Sequence, residues 1–254
     1  MWSKQIIIVL LLFAKSLSAA EFFITKTDSE ALEIEMQGNI SAGDYDRFMS
    51  LVRNSPATFV KAGTIVLNSK GGSVSEALRI ARVVNKASLI TMVDKDAVCA
   101  SSCFLIFVAG SIRYGSGDIL IHRPYPEKKA YENNIFSDIS KSHQSAIENV
   151  REYLINNSVP TKIIDKMISK SSVDSYRLTI NDKKDIGIMS PMFEEASIAQ
   201  CGLSSKSVLN HEGTNKQFVC THNISTKSRI EFVEKIVGEK RLREELRQLL
   251  LSDE

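Results

Sequence analysis

Two serines stand between two cysteines, directly before an apolar run, in the segment VCASSCFLIFVAG at residues 98–110. The apolar run predicts a buried helix, and a helix N-terminus carries partial positive charge and free N–H groups. A hydroxyl there is placed to act as a nucleophile, and the next N–H can stabilise the oxyanion that forms. Ser101 and Ser102 therefore suggest acyl-transfer chemistry, although a serine at a helix start also serves as an N-cap.

Two other segments supply what a serine nucleophile needs. Gly71 and Gly72 follow an apolar strand, and paired glycines let the backbone turn tightly and direct N–H groups at a substrate oxygen. His122 ends the apolar stretch DILIH and supplies a general base, because a serine hydroxyl does not ionise near neutral pH. The other histidines lie in polar stretches and are predicted to be surface residues: His143, His211 and His222.

Strands that alternate with helices position these residues and predict an α/β domain. Apolar or alternating segments predict strands near residues 32–36, 64–67, 89–94, 118–124 and 176–190, the last with a helical turn inside it. Helical spacing predicts helices near residues 41–54, 101–109, 136–156, 160–170 and 228–251. It also predicts a helix after the Gly-Gly turn, with Ala77, Ile80, Ala81 and Val84 facing inward. Ser41 and Asp44 have capping-box spacing, and polar residues 125–134 are predicted to form a loop.

The start of the chain has the layout of a secretory signal. Lys4 gives a positive start, residues 6–14 are apolar, and small residues precede a predicted cleavage after Ala20. The apolar run is shorter than the roughly 20 residues of a membrane-spanning helix, so a retained N-terminal anchor is the less favoured alternative. We expect a signal peptide over 1–20, an α/β domain over 21–200, and a cysteine loop with an amphipathic helix over 201–254, in an exported, periplasmic or secreted protein.

The charge of the chain is balanced. The sequence holds 32 Lys and Arg against 30 Asp and Glu, and removal of Lys4 and Lys15 with the signal would leave equal numbers. No block of like charge suggests a nucleic-acid or membrane surface, so neither partner is expected.

The four cysteines fall in the predicted exported part. Their spacing contains no CxxC pair and no histidine at ligand spacing, so no metal site and no cofactor are expected. An even number in an exported chain favours disulfides, with three pairings open. Cys201 with Cys220 is the simplest pair, and Cys99 with Cys103 would form a tight local bridge.

Taken in order, the segments LNSKGGSV, CASSCFLIFVAG and ILIHRP resemble the proteolytic subunit of the Clp protease, in the ClpP/crotonase superfamily. That family has N-S-P-G-G after a strand, A-S-M-G before an apolar helix, and a strand that ends M-I-H-Q-P. The resemblance spans about residues 32–190 and implies a ClpP/crotonase-like α/β fold of repeated β-β-α units.

The resemblance also implies roles for individual residues. Ser101 falls on the nucleophile, His122 on the general base, and Gly71, Gly72 and Ser102 on the oxyanion-hole positions. Asp174 is the best candidate for the third triad member, although an ungapped match puts Ser175 there. Two aspartates are fallback choices: Asp165 and Asp182.

Three departures from the family pattern stand beside this resemblance. Lys70 replaces the proline of the glycine loop, Cys103 replaces a small residue after the nucleophile, and the connection from Gly110 to His122 is short. Cys99 and Cys103 flank Ser101, and we hypothesise that a bridge between them braces the nucleophile turn, so that reduction would disable it.

The expected function is an exported, ATP-independent serine peptidase that forms an acyl-enzyme. Peptides or unfolded proteins are the expected substrates, self-association is expected, and an ATP-driven unfoldase is not, because ATP is lacking outside the cytosol. A catalytically silent binding or assembly protein on the same fold is the main alternative. A Ser-Lys peptidase of the signal-peptide type and crotonase-type thioester chemistry are less favoured.

Overall fold

The computed structural model describes residues 19–126, 136–171 and 173–252. The predicted signal segment, up to residue 18, and most of the predicted loop at 125–134 lie outside these ranges. The strands are β1 (Glu21–Lys26), β2 (Leu32–Gln37), β3 (Thr64–Asn68), β4 (Ile90–Val93), β5 (Val98–Ala100), β6 (Arg113–Gly115), β7 (Asp118–Ile121) and β8 (Tyr176–Arg177). The helices are α1 (Asp44–Asn54), α2 (Pro56–Lys61), α3 (Val74–Lys86), α4 (Cys103–Phe107), α5 (Phe136–Asn156), α6 (Thr161–Ser169), α7 (Ile180–Ile186), α8 (Pro191–Cys201), α9 (Ser205–Leu209), α10 (Asn215–Val237) and α11 (Glu239–Ser252).

The strands form two sheets that meet at the candidate site. A five-stranded sheet has the order β1-β2-β3-β4-β6, antiparallel at β1–β2 and parallel elsewhere. A three-stranded sheet has the order β5-β7-β8, with β5 and β7 parallel. A bridge between Ser69 and Cys99 joins the end of β3 to β5. This mixed architecture confirms the predicted α/β class.

Two helices after strand ends carry the core next to the site. Helix α3 buries the predicted face of Ala77, Ile80, Ala81 and Val84, and the Ser73 hydroxyl caps it by accepting the Glu76 N–H. Every residue of α4 is buried, so this helix is apolar on all sides and lies inside the molecule. The chain that enters α4 is therefore anchored by packing on both sides.

The start of α1 differs from the capping-box prediction. Gly43, in a left-handed conformation, is the N-cap, and the Ser41 hydroxyl donates to the Asn39 carbonyl rather than capping the helix. The buried Asp44 carboxylate still accepts the Ser41 N–H at 2.6 Å. Only half of the predicted reciprocal pair forms, because Gly43 turns the chain between the two residues.

The predicted helix over 228–251 is in fact two helices. Gly238 has a φ of 87° and separates α10 from α11, while α10 begins earlier, after a Thr214–Gln217 capping box. Val233 and Leu242 are buried in the main core, so this part packs on its own domain. The buried Arg229 guanidinium also donates to the Val60 carbonyl.

The four cysteines form two disulfides, whose pairing the sequence had left open. Cys99 bonds to Cys103 and Cys201 bonds to Cys220, as in the simplest of the three arrangements. Cys99 and Cys103 are both 0% exposed, so that bridge lies inside the core. Within the described residues, no helix combines the length and the apolar character needed to cross a membrane.

Candidate active site

Ser101 lies in a strained turn between β5 and α4. Its φ is 56°, in the left-handed region that non-glycine residues rarely adopt. The Ser101 N–H donates to the Leu120 carbonyl at 2.9 Å, its carbonyl accepts from Phe104 at 3.0 Å, and the Cys99–Cys103 bridge spans it. Strain that is held by surrounding bonds is a feature of functional sites.

The glycine loop packs directly against this turn. A side chain at Gly71 would place its Cβ 2.7 Å from the Ser101 Cβ, and one at Gly72 would place it 2.0 Å from the Ile40 carbonyl oxygen. Both glycines have positive φ, of 88° and 142°. Ile40 donates to the Gly71 carbonyl and accepts from Ser73, which holds the loop open beside Ser101. Only glycine fits at either position.

Two of the three residues predicted to form the oxyanion hole, Gly72 and Ser102, have a free N–H group within the described residues. The Gly71 N–H donates to Ser69 Oγ at 3.1 Å and is therefore engaged, which corrects the expectation that both glycines supply donors. The Gly72 and Ser102 N–H groups have no acceptor among the described residues. The Ser102 hydroxyl donates to the Gly72 carbonyl at 3.1 Å, which ties the two donors together. Two linked, free N–H groups beside Ser101 match the needs of an oxyanion hole.

Ser101 opens onto a cleft of about 350 Å³, also lined by Ile40, Gly72, Pro124 and Tyr125. A larger groove of about 800 Å³ beside β1 and α1 contains no histidine, so it is not a second site of this kind. Within the described residues, no group of three or more His, Cys, Asp or Glu side chains could hold a metal ion.

His122 follows β7 and lies next to two residues that line the cleft. Its Nδ1 is 2.8 Å from the Arg123 carbonyl oxygen, and its ring stacks on Tyr125 with centroids 5.5 Å apart. No hydrogen bond joins His122 to the Ser101 hydroxyl among the described residues. Catalytic hydrogen bonds often form only when the substrate binds.

The Asp174 carboxylate is bonded to Lys170 and not to His122 in the described part of the chain. This exposed carboxylate accepts from Lys170 at 2.9 Å, while the Lys170 carbonyl accepts the Arg123 N–H at 3.0 Å. In the β7–β8 register, Ile121 is opposite Tyr176, so one further step would put Ser175 opposite His122. The structure does not bring Asp174 into contact with the His122 ring.

The two fallback aspartates have structural partners. Asp165 pairs with Arg151 on the surface at 3.0 Å. Burial alone would raise the pKa of Asp182, but hydrogen bonds from Lys166 and Thr179 lower it below its usual range. Asp182 caps α7 in a capping box with Thr179, so it stabilises the fold rather than the His122 ring.

His143 is a site neighbour that sequence reasoning missed. It was predicted to be a surface residue, but it is half-buried on α5 and donates from Nε2 to the Pro124 carbonyl at 2.7 Å. No local sequence pattern predicts this contact, because His143 and Pro124 are 19 residues apart and meet only through the tertiary placement of α5. The exposed His211 and His222 agree with the surface prediction.

No family model matches the chain, and no curated protein matches its sequence. Among solved structures, a mutant of the 1510-N membrane-bound stomatin-specific protease is 17% identical, with 66% of this chain and 83% of that chain covered and a TM-score of 0.44. A ClpP1 mutant from Listeria monocytogenes is 17% identical, with 61% and 86% covered and a TM-score of 0.46. Methylmalonyl CoA decarboxylase is 10% identical, with 91% and 88% covered and a TM-score of 0.41. These similar structures are of ClpP-like and crotonase-like kinds, and at these scores they carry no argument about activity.

Proposed function

We propose that this chain is a serine hydrolase that cleaves peptide bonds, with Ser101 as nucleophile and His122 as general base. The observation that carries the proposal is the Ser101 turn itself. A serine with a left-handed backbone faces a cleft, between the free N–H groups of Gly72 and Ser102 and at the start of a buried helix. A serine that only capped a helix would need neither the strain nor the free donors.

The proposed mechanism is a two-step acyl transfer. His122 Nε2 takes the Ser101 proton as Oγ attacks the peptide carbonyl carbon, and the Gly72 and Ser102 N–H groups bind the oxyanion. The tetrahedral intermediate collapses as His122 gives the proton to the leaving amine. Water, activated by the same ring, then hydrolyses the acyl-enzyme and regenerates Ser101. The cleft wall at Ile40, Val74 and Pro124 is apolar, which suits uncharged segments of an extended or unfolded peptide.

Covalent labelling tests this proposal directly. A fluorophosphonate should phosphonylate Ser101, as Oγ–P bond formation expels fluoride and His122 accepts the proton. Intact mass should rise by one adduct, and peptide mapping should place the adduct on the peptide that carries Ser101. An unlabelled parent protein, or an adduct on another serine, would remove the basis of the proposal.

A silent binding protein is the second candidate, and one observation favours it. The Asp174 carboxylate is bonded to Lys170, and no carboxylate contacts the His122 ring among the described residues. A triad residue that orients the base is the most replaceable part of such a site, so the peptidase proposal is preferred. A parent protein that binds peptides but never labels would favour the silent candidate.

Export is part of the proposal and has a measurable consequence. Two disulfides support an oxidising compartment. Ala20 is 1% exposed, and its N–H donates to the buried Asp44 carboxylate at 3.2 Å. Cleavage after Ala20, as the sequence suggests, would remove this core residue. We therefore expect processing on the N-terminal side of Ala20, and intact mass of the exported protein would show it; a mature chain that begins at Glu21 would contradict this.

The Cys99–Cys103 bridge should matter to the site more than to overall stability. It closes a short loop, so its entropic contribution to the free energy of unfolding is small, but it spans the strained Ser101 turn. We expect the Cys99→Ala/Cys103→Ala protein to label about tenfold more slowly than the parent. The Cys201→Ala/Cys220→Ala protein is the matched control and should keep the parent labelling rate. Equal rates in both double variants would show that the first bridge does not brace the turn.

A further inference from the structure

We propose that His143 and Tyr125 are positioning residues that hold the His122 ring, in the place where a triad would use a carboxylate. This inference rests on the proposed function of Ser101 and His122, and it gives a positioning role to two residues that no sequence motif identifies. His143 acts on the short segment of residues 123–125 that follows β7, and Tyr125 belongs to that segment; Pro124 and Tyr125 line the cleft.

The Arg123 carbonyl sets the tautomer of His122. A carbonyl oxygen can only accept a hydrogen bond, so the Nδ1 that lies 2.8 Å from it must carry the proton. In the neutral ring, Nε2 is then the unprotonated nitrogen and can accept the serine proton. Tautomer control is the task that a carboxylate performs in a Ser-His-Asp triad. Here the Arg123 carbonyl controls the tautomer. Its control depends on how firmly the 123–125 segment is held in place.

His143 holds that segment from the side of α5. Its Nε2 lies 2.7 Å from the Pro124 carbonyl oxygen and donates to it, because a carbonyl oxygen can only accept a hydrogen bond. Pro124 has no N–H, so its carbonyl is the backbone group through which this residue can be tied. On the other side, the Arg123 N–H donates to the Lys170 carbonyl at 3.0 Å. The segment is thus fixed at two successive residues, from α5 and from the end of α6.

Tyr125 holds the ring itself. Its aromatic ring lies nearly parallel to the imidazole, at 29° and a centroid separation of 5.5 Å. Stacking restrains rotation of the imidazole about its side-chain bonds, while the Nδ1 bond fixes which edge faces the Arg123 carbonyl. The phenol is 55% exposed, so burial does not explain its position. The hydrogen bond to the Arg123 carbonyl and the stacked Tyr125 ring thus restrain the base directly, and His143 restrains it through the Pro124 carbonyl.

The test uses paired variants of the full chain. His143→Leu removes the donor to Pro124, and His143→Gln replaces it with an amide N–H that can reach the same carbonyl. Tyr125→Leu removes the stacked ring, and Tyr125→Phe keeps it. His222→Leu, at an exposed helical histidine, is the control for loss of an imidazole elsewhere. The readouts are the maximal rate of fluorophosphonate inactivation, its half-saturating concentration, the melting temperature and the ¹⁵N chemical shifts of His122.

We call the hold of His143 and Tyr125 on the His122 ring the clamp. We expect both leucine variants of the clamp, His143→Leu and Tyr125→Leu, to lower the maximal inactivation rate about tenfold, because the general base is then misplaced. The melting temperature of both variants should stay near that of the parent, and so should the half-saturating concentration of His143→Leu, which lies outside the cleft lining. His143→Gln and Tyr125→Phe should recover to within about twofold, and ¹⁵N shifts should report an Nδ1-protonated His122 in the parent and mixed tautomers in His143→Leu.

The outcomes separate this inference from the proposed function. If the parent labels and all four variants label at the parent rate, the clamp is wrong while the peptidase proposal stands. If the parent never labels, the ¹⁵N shifts alone decide, because they report the ring without any reaction. A His122 tautomer that is unchanged in both leucine variants would overturn the clamp in either case.

Discussion

Replacing Ser101 with alanine should lower peptide hydrolysis by at least about 10³-fold and abolish fluorophosphonate labelling. Loss of the nucleophile leaves only substrate binding and the oxyanion donors, which accelerate the reaction far less. The neighbouring serine hydroxyls are engaged in other hydrogen bonds. Ser102 donates to the Gly72 carbonyl, Ser73 caps α3, and Ser41 donates to the Asn39 carbonyl. Among the serines that line the cleft, Ser101 is the one whose hydroxyl has no such bond within the described residues.

The controls for this prediction separate chemistry from folding. His122→Ala should lose rate to a similar degree, because the serine then lacks its base. Ser50→Ala, on an exposed face of α1, should keep the parent rate. Peptide binding, measured by fluorescence anisotropy, should be unchanged in Ser101→Ala. Residual hydrolysis within about tenfold of the parent would mean that another group performs the attack.

The sequence predicted the elements of this site better than it predicted their contacts. Ser101, Gly72 and His122 each follow a strand, and local apolar patterns are enough to locate strand ends. The cleft brings Ser101 and Gly72 together as expected. The pairing of the four cysteines followed the simplest arrangement, because both pairs are near in sequence.

What the sequence missed depends on competing hydrogen-bond partners, two of them local and one tertiary. Gly71 was expected to donate to an oxyanion, but Ser69 lies within reach of its N–H, a contact that spacing cannot reveal. His143 was expected at the surface because its helix is polar, and only the position of α5 beside Pro124 gives it a partner. Asp174 was chosen by motif, but Lys170 on the preceding turn takes its carboxylate. In each case a hydrogen-bond partner that the local pattern does not indicate determines where the side chain or N–H group is engaged.

Replacing Gly72 with alanine should lower the labelling rate by about 10² to 10³-fold, the usual effect of losing one oxyanion donor. The added Cβ would lie 2.0 Å from the Ile40 carbonyl oxygen, which is backbone and cannot rotate away. The loop must therefore shift, and the bond from Ser73 to the Ile40 carbonyl is the contact that breaks. Because the Gly72 nitrogen is bonded to the Cα that carries the added Cβ, a shift that relieves the clash also moves the N–H donor away from the oxyanion position.

Gly238→Ala is the matched control for Gly72→Ala, since Gly238 also has a positive φ, of 87°, but no atom lies within 4 Å of the added Cβ. That variant carries the cost of a positive φ at alanine, about 1–3 kcal/mol, without any clash. A drop in melting temperature shared by both variants would therefore report backbone strain, and a drop in labelling rate confined to Gly72→Ala would report the oxyanion hole. If Gly72→Ala labels within about threefold of the parent, the Gly72 N–H does not bind the oxyanion. The Ser102 N–H would then have to act without it, and the link between the glycine loop and the nucleophile turn would be structural.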